Sequence, residues 1–399
     1  MYDIAVIGAG ASGMAAAISA KRRTPYISVA LIEALPRVGK KILATGNGRC
    51  NLTNLNAKAE DYNSPFVTDI MKKYSPESVT AFFESLGLKT FSDSEGRVYP
   101  MSNMAASVLD CLRFELEKLE IDVICDTHAD SLVKKGDIFI INGSIKARKV
   151  IVSTGGKASP AQGSDGSGYA LLKSLGHRIT PVYSGLVQLT VKENLKALKG
   201  IRVKSDVSLF CGEKNEAKAS GEILFTDYGL SGIAIMDVSR RVYNKKCECV
   251  LDTLPMMHEC DIQAFFMERK MSNSALEIEN VLGGLVPKKL GQYVLKECGI
   301  AFDRPVGKLS NLLIEQVCEK LKGLRFTVTG TRGFNNAQIT VGGAALSEFD
   351  SATLESKLVE GLYCTGELLN IDSICGGYNL QWAWASGIAA GNSSAEKIC

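Results

Sequence analysis

The chain has 399 residues, 46% of them hydrophobic and 22% charged, which excludes wholesale disorder and, at about 150 residues per domain, leaves room for two or three domains. Lys and Arg number 46 against 43 Asp and Glu, a formal charge of +3. So small a surplus excludes a general polyanion binder but permits a local basic patch.

The N-terminus, Met1 to Ile7, has no basic leader and no cleavage site after an apolar run, so no signal peptide is expected and a cytoplasmic location is. No apolar run approaches ~18 residues, and no membrane span is expected. The 12 cysteines are scattered without a CxxC pair, and only His128, His177 and His258 accompany them. Neither a zinc site nor a disulfide framework is expected; the thiols read as reduced and buried.

Residues 3–8 form a short apolar strand running into Gly8-Ala9-Gly10-Ala11-Ser12-Gly13, followed by a helix of small residues from Met14 to Ala20. A second strand-like run, Ile27 to Ile32, ends at Glu33, 20 positions after Gly13. In this GxGxxG pattern, Gly8 permits the turn, Gly10 lets backbone approach a pyrophosphate, and Gly13 lets helix and strand pack closely. The N–H groups around Ala11 and Ser12 then face the phosphates. Glu33 is suited to accept hydrogen bonds from a ribose. The motif predicts dinucleotide binding but does not separate NAD from FAD.

The continuation favours FAD. A polar, glycine-rich loop follows, with Lys40, Lys41, Asn47, Arg49, Cys50 and Asn51, suited to lie along an extended ligand. Lys40, Lys41 and Arg49 would meet phosphate or a flavin carbonyl; a solvated basic loop is the alternative. Strand-like segments at 121–124, 129–133 and 139–141 then lead to a core strand ending in Thr154-Gly155-Gly156, a β-meander of the kind that closes a two-dinucleotide FAD domain. Backbone near Ala129 would meet the adenine, with His128 exposed beside it. Near the C-terminus a last strand ends at Gly366-Glu367, and Gly376-Gly377-Tyr378-Asn379-Leu380 opens a small-residue helix. Its N-terminal N–H groups would face the flavin ring, Glu367 would hold the ribityl chain, and Trp382 and Trp384 would pack.

Five strings in order carry a more specific likeness: GKKILATGNGRCNLTN (39–54), GRVYP (96–100), GEILFTDYGLSG (221–232), TGTRGFNNAQITVGGAALSEFD (329–350) and GLYCTGELLNIDSICGGYNLQWAWASGIAAG (361–391). With them the chain resembles the BaiN/RdsA family of NAD(P)/FAD-dependent oxidoreductases, also labelled aminoacetone-oxidase-like. The resemblance implies an α/β fold: a split, Rossmann-like FAD domain of the two-dinucleotide type with inserted β-barrel and helical domains. The expected boundaries are 1–186 plus 336–399 for the FAD domain, 187–255 plus 323–335 for the barrel, and 256–322 for the helices. Three positions depart from the family pattern: Ile233 stands where proline is usual, Asn370 where aspartate is, and Ser373 where glycine is.

The resemblance also implies a reaction: reduction of a C=C bond conjugated to a carbonyl, by hydride from flavin N5. One branch acts on a 3-oxo-Δ4 or Δ6 bile-acid steroid, another on uridine of ribosomal RNA, giving dihydrouridine. Such chemistry needs a polarised carbonyl and a proton donor. Arg97, Tyr99, Arg332 and Tyr378 are the candidate catalytic residues, with Tyr228 nearby in the pattern. NAD(P)H would be a transient donor, since no second GxGxxG occurs. An RNA substrate would need a basic surface, for which Lys192, Lys196, Lys199, Arg202 and Lys204 are candidates. A steroid would need an apolar pocket, for which Phe265, Phe266, Met267, Leu282, Leu285 and Val286 are candidates unless they pack as core. The weak net charge and the departures favour the small molecule. A flavin amine oxidase and a non-catalytic flavin protein remain as alternatives.

Overall fold

The computed structural model describes residues 1–243, 245–396 and 398. They divide into two compact units, Met1–Ser184 with Ala337–Cys399, and Gly185–Asn336.

The first unit is built on a sheet whose centre is β1 (Tyr2–Ile7). β1 pairs in parallel with β2 (Val29–Ile32) on one side and with the long strand Ile145–Val152 on the other. Every residue of β2 and the last four of β1 are buried. Helices cover both faces of such a sheet, so its strands read as unbroken apolar runs rather than alternating ones. Strand Ile145–Val152 divides its far edge. Its first half pairs antiparallel with Ile138–Ile141, and its last three residues pair in parallel with Leu362–Cys364. The C-terminal part of the chain thereby returns to the sheet begun at residue 2.

Four strands end in step. Gly8 N–H donates to Ile32 O, Ser153 N–H to Ile7 O, and Thr365 N–H to Val152 O. In open α/β sheets ligands bind just beyond such carboxyl ends.

Helix α1 (Ala11–Arg23) follows the Gly8–Gly13 turn, and all nine residues from Ser12 to Ala20 are buried. It lies between the sheet and the C-terminal helix Tyr378–Glu396. The two helices cross at backbone contact: a Cβ on Gly387 would come 2.3 Å from Ser12 O, and one on Gly391 2.3 Å from Ala16 O. Only small residues permit that approach, which explains the alanine-rich composition of both helices.

The predicted β-meander is present as Leu132–Lys135, Ile138–Ile141 and Ile145–Val152. The segment expected to lead it, Asp122–Ile124, instead extends the parallel sheet beyond β2. The strand expected over 129–133 begins only at Leu132, leaving Ala129 in the preceding loop.

The second unit contains a closed six-stranded barrel, in order Leu189–Val191, Gly229–Ser231, Lys214–Phe225, Arg202–Cys211, Cys247–Asp252 and Leu324–Thr331. Cys247–Asp252 alternates buried and half-buried residues along its whole length, as a strand with one face inward must. Helices Glu259–Ser272, Lys288–Glu297 and Asn311–Lys322 share one apolar core with the barrel.

The cysteines correct an expectation. Cys211 and Cys247 are disulfide-bonded, although no disulfide was expected. Register is the reason: the antiparallel pairing of their strands puts the two residues directly opposite each other. Among the described residues nine other cysteines are free, with Cys50, Cys249, Cys318 and Cys364 buried.

Candidate cofactor and active site

The glycines of the first turn do three different things. Gly8 has φ +99°, and a Cβ there would lie 2.6 Å from Ser153 O. A Cβ on Gly13 would lie 1.8 Å from Gly8 O, so helix and turn touch through backbone. A Cβ on Gly10 would meet nothing within 4 Å. Gly10 therefore borders open space at the N-terminus of α1, where no side chain caps the helix and the first turn holds no acid. The basic residues Lys21, Arg22 and Arg23 sit at the opposite end. Ala11 and Ser12, at the start of α1, thus lie at an end that is electrostatically open to an anion.

Glu33 lies beside this turn and is buried. Its carboxylate accepts from Ala9 N–H (2.9 Å) and Leu35 N–H (2.9 Å). It thus braces the glycine turn. The Ala129 loop reaches the same corner: Thr127 N–H donates to Glu33 O, and Ala129 is buried. His128 is half-exposed and contacts Asp130 at 2.7 Å. Thr154 and Gly155 follow the strand beside Gly8, and Gly155 has φ +72°.

The loop after β2 is wound from left-handed residues: Gly46, Asn47, Gly48 and Cys50 all have positive φ. Its cations have internal partners. Lys40 donates to Ala161 O (2.9 Å), Lys41 pairs with Glu367 (2.9 Å), and Arg49 lies 4.6 Å over the Tyr99 ring. Burial pushes the Cys50 thiol up to about 11. It is neutral at pH 7 and has no character of a nucleophile.

The C-terminal helix pins this loop. Gln381 accepts from the Thr53 hydroxyl (2.6 Å), and the Trp384 indole donates to Leu52 O (3.0 Å). The Trp382 indole donates to Gly366 O (3.1 Å). Both tryptophans therefore pack and orient backbone. A Cβ on Gly377 would lie 2.6 Å from Thr53 O and 2.9 Å from Asn51 Oδ1. Asn379 spends its side chain on the approach to the helix, accepting from Ser373 N–H and donating to the Ser373 and Ile374 carbonyls. Its backbone and that of Leu380 form the first helical turn. Asn51 Oδ1 is buried and has no partner. An orphaned acceptor is rare unless a ligand supplies the donor. With the space beside Gly10, it makes the residues present fit an extended dinucleotide.

Glu367 uses both oxygens. Oε2 takes Lys41, and Oε1 accepts the Thr340 N–H at 2.6 Å. Thr340 Oγ1 accepts from Lys157 N–H and Ala158 N–H. Sequence reasoning missed Thr340 as the hub joining Gly156, Glu367 and Lys41. It lies 183 residues from Lys157, and only its place in the TVGG string hinted at it.

The candidate catalytic residues separate into two groups. Arg97 and Tyr99 share a face of strand Arg97–Pro100, next to Thr53–Asn54. Arg97 is held by Glu95 and Asp93, and Tyr99 is only 4% exposed. Tyr378 is half-buried at the start of the C-terminal helix, beside Gly376. Arg332 belongs to the second unit, where its guanidinium lies 4.3 Å over the Tyr228 ring.

The basic and apolar residues expected to meet a substrate are both placed by the fold. Lys199 pairs with Asp227 (2.6 Å) and Arg202 with Glu222, so two of the five expected basic residues are neutralised locally. Phe266, Leu282 and Val286 are buried in the core of the second unit, whereas Met267 is 39% exposed.

A parallel sheet, a glycine turn opening a helix, an acid at the end of β2 and a second glycine corner opening the C-terminal helix define an FAD-binding Rossmann flavoprotein. Residues 2–393 match the family described as HI0933-like protein Rossmann domain. The chain is 39% identical over 409 residues to the 3-dehydro-bile acid delta(4,6)-reductase of Clostridium scindens, covering 100% of both. It is 28% identical to the ribosomal RNA dihydrouridine synthase of Haemophilus influenzae and 29% to that of Escherichia coli, covering 96% of each chain. Among solved structures, the 3-ketosteroid delta1-dehydrogenase of Sterolibacterium denitrificans shares the fold, with TM-score 0.53, 12% identity and 99% of both chains covered. The chain belongs to the HI0933-like family and is an oxidoreductase.

Proposed function

We propose that this protein reduces a C=C bond conjugated to a carbonyl in a small molecule of the 3-oxo-Δ4 or Δ6 steroid type, with FAD as cofactor. The full-length 39% identity to a bile-acid reductase carries the reading. The local neutralisation of Lys199 and Arg202 supports it over the RNA alternative. A bound flavin supplies hydride to an electron-poor carbon. The Gly8–Gly13 turn and the α1 N-terminus would hold the pyrophosphate and Glu33 the ribose, and Asn51 Oδ1 would be free to accept an N–H of the bound cofactor.

Tyr378 is the best-placed proton donor of the four candidates. Tyr99 is buried and Arg97 is an obligate cation, whereas Tyr378 carries a phenolic proton and is only half-buried at the glycine corner. NAD(P)H is the proposed electron source, bound transiently.

Tyr378→Phe tests the assignment. General-acid catalysis contributes roughly 10²–10⁴-fold. Reoxidation of the reduced enzyme by an enone should slow by that order, while flavin content and reduction stay as in wild type. Unchanged reoxidation would remove Tyr378 from the reaction.

A further inference from the structure

Ser164 lies in the loop between strand Ile145–Val152 and helix Ser167–Ser174. It is 4% exposed, and its Oγ is buried without any hydrogen-bond partner. An unpaired buried hydroxyl is costly, and native proteins rarely keep one without a reason.

Its surroundings supply the reason. A Cβ on Gly155 would lie 2.9 Å from Ser164 Oγ, so the hydroxyl closes directly on the glycine that follows Thr154. Thr154 in turn abuts the first glycine of the turn, since a Cβ on Gly8 would lie 2.9 Å from Thr154 Cα. On the other side, a Cβ on Gly163 would lie 3.0 Å from Leu35 Cδ1 and 3.9 Å from Glu33 Oε1. Ser164 therefore sits between the pyrophosphate turn and the ribose acid. Lys40 closes the same loop by donating to Ala161 O.

We propose that Ser164 is a cofactor-binding residue whose hydroxyl hydrogen-bonds the adenosine diphosphate half of the FAD. The proposal rests on the reading of this site as an FAD site. It makes a two-sided demand. In the apoprotein the hydroxyl serves nothing, so removing it leaves stability unchanged or raised. In the complex the hydroxyl is paired, so removing it weakens binding.

The test uses apoprotein and two probes, ADP and FAD, with Ser164→Ala against wild type. The expected result is an apoprotein melting temperature equal to or above that of wild type, with about tenfold weaker ADP and FAD binding by calorimetry. Riboflavin, which lacks the ADP half, should bind both proteins alike. Equal ADP affinity in the two proteins, or a lower apoprotein melting temperature in the variant, would overturn the proposal while leaving the FAD site intact. Wild-type apoprotein that binds neither ADP nor FAD would overturn both.

Discussion

Gly10 and Gly13 stand three positions apart and tolerate a side chain very differently. Gly10 has φ −82° and open space around its missing Cβ, whereas a Cβ on Gly13 would run into Gly8 O. Gly10→Val should therefore fold with a near-normal melting temperature and purify without flavin, because its side chain fills the space for pyrophosphate. Gly13→Val should lose at least ~1–3 kcal/mol, the ordinary cost of overpacking, since the atom it meets is backbone. Normal flavin in Gly10→Val would reduce the turn to a structural device. The turn itself was legible in the sequence, because strand, glycines, helix and acid follow one another locally. Thr340 and Ser164 were not legible, because their meaning comes from which glycine the fold brings against them.

Two non-local elements give further expectations. His177 is buried, stacked on Phe349 and placed between Glu348 (3.1 Å) and the Ser356 hydroxyl (2.9 Å). Ser356 Oγ already accepts from Leu358 N–H and Val359 N–H. Its proton must go to Nε2, which leaves the proton on Nδ1 for Glu348. Burial holds the His177 pKa below its ordinary 6.5, against the opposing pull of Glu348. The unfolded chain thus protonates first, and stability falls as pH drops below about 6.5. Burial alone would raise Glu348, but Arg178 and His177 hold it below its ordinary 4.5. That contribution is lost at lower pH still. Urea midpoints between pH 8 and 5 should decline in wild type and flatten in His177→Gln; a flat wild-type profile would contradict the clasp. The Cys211–Cys247 bond closes a separation of 36 residues, for which the chain-entropy model gives roughly 3–4 kcal/mol. Reductant should lower the unfolding midpoint of wild type and leave Cys211→Ser unchanged. Thiol titration in urea should find two fewer groups before reduction than after; equal counts would refute the bond. Neither element was legible in sequence: the clasp joins positions 171 and 179 apart, and the disulfide depends on strand register.

At the scale of the whole molecule the question is which partner the flavin serves. The FAD-binding Rossmann fold and the barrel were legible, because five motif strings fall in order along the chain. Substrate class was not, since a basic run reads equally as a solvated face and an apolar run equally as core, and Phe266, Leu282 and Val286 do pack as core. An RNA substrate would release counterions, and its turnover would fall steeply with salt; reversing Lys196, Lys199 and Arg202 would abolish it. A steroid enone held by apolar contacts should be turned over with little salt dependence, and the triple variant should keep full activity. The decisive measurement is anaerobic. The purified flavoprotein is reduced, then mixed in a stopped-flow instrument with a 3-oxo-Δ4 steroid or with unmodified ribosomal RNA, and flavin absorbance is followed. The account predicts rapid reoxidation by the steroid with one saturated product per flavin, and none by RNA. Reoxidation by RNA alone, with dihydrouridine formed, would contradict it.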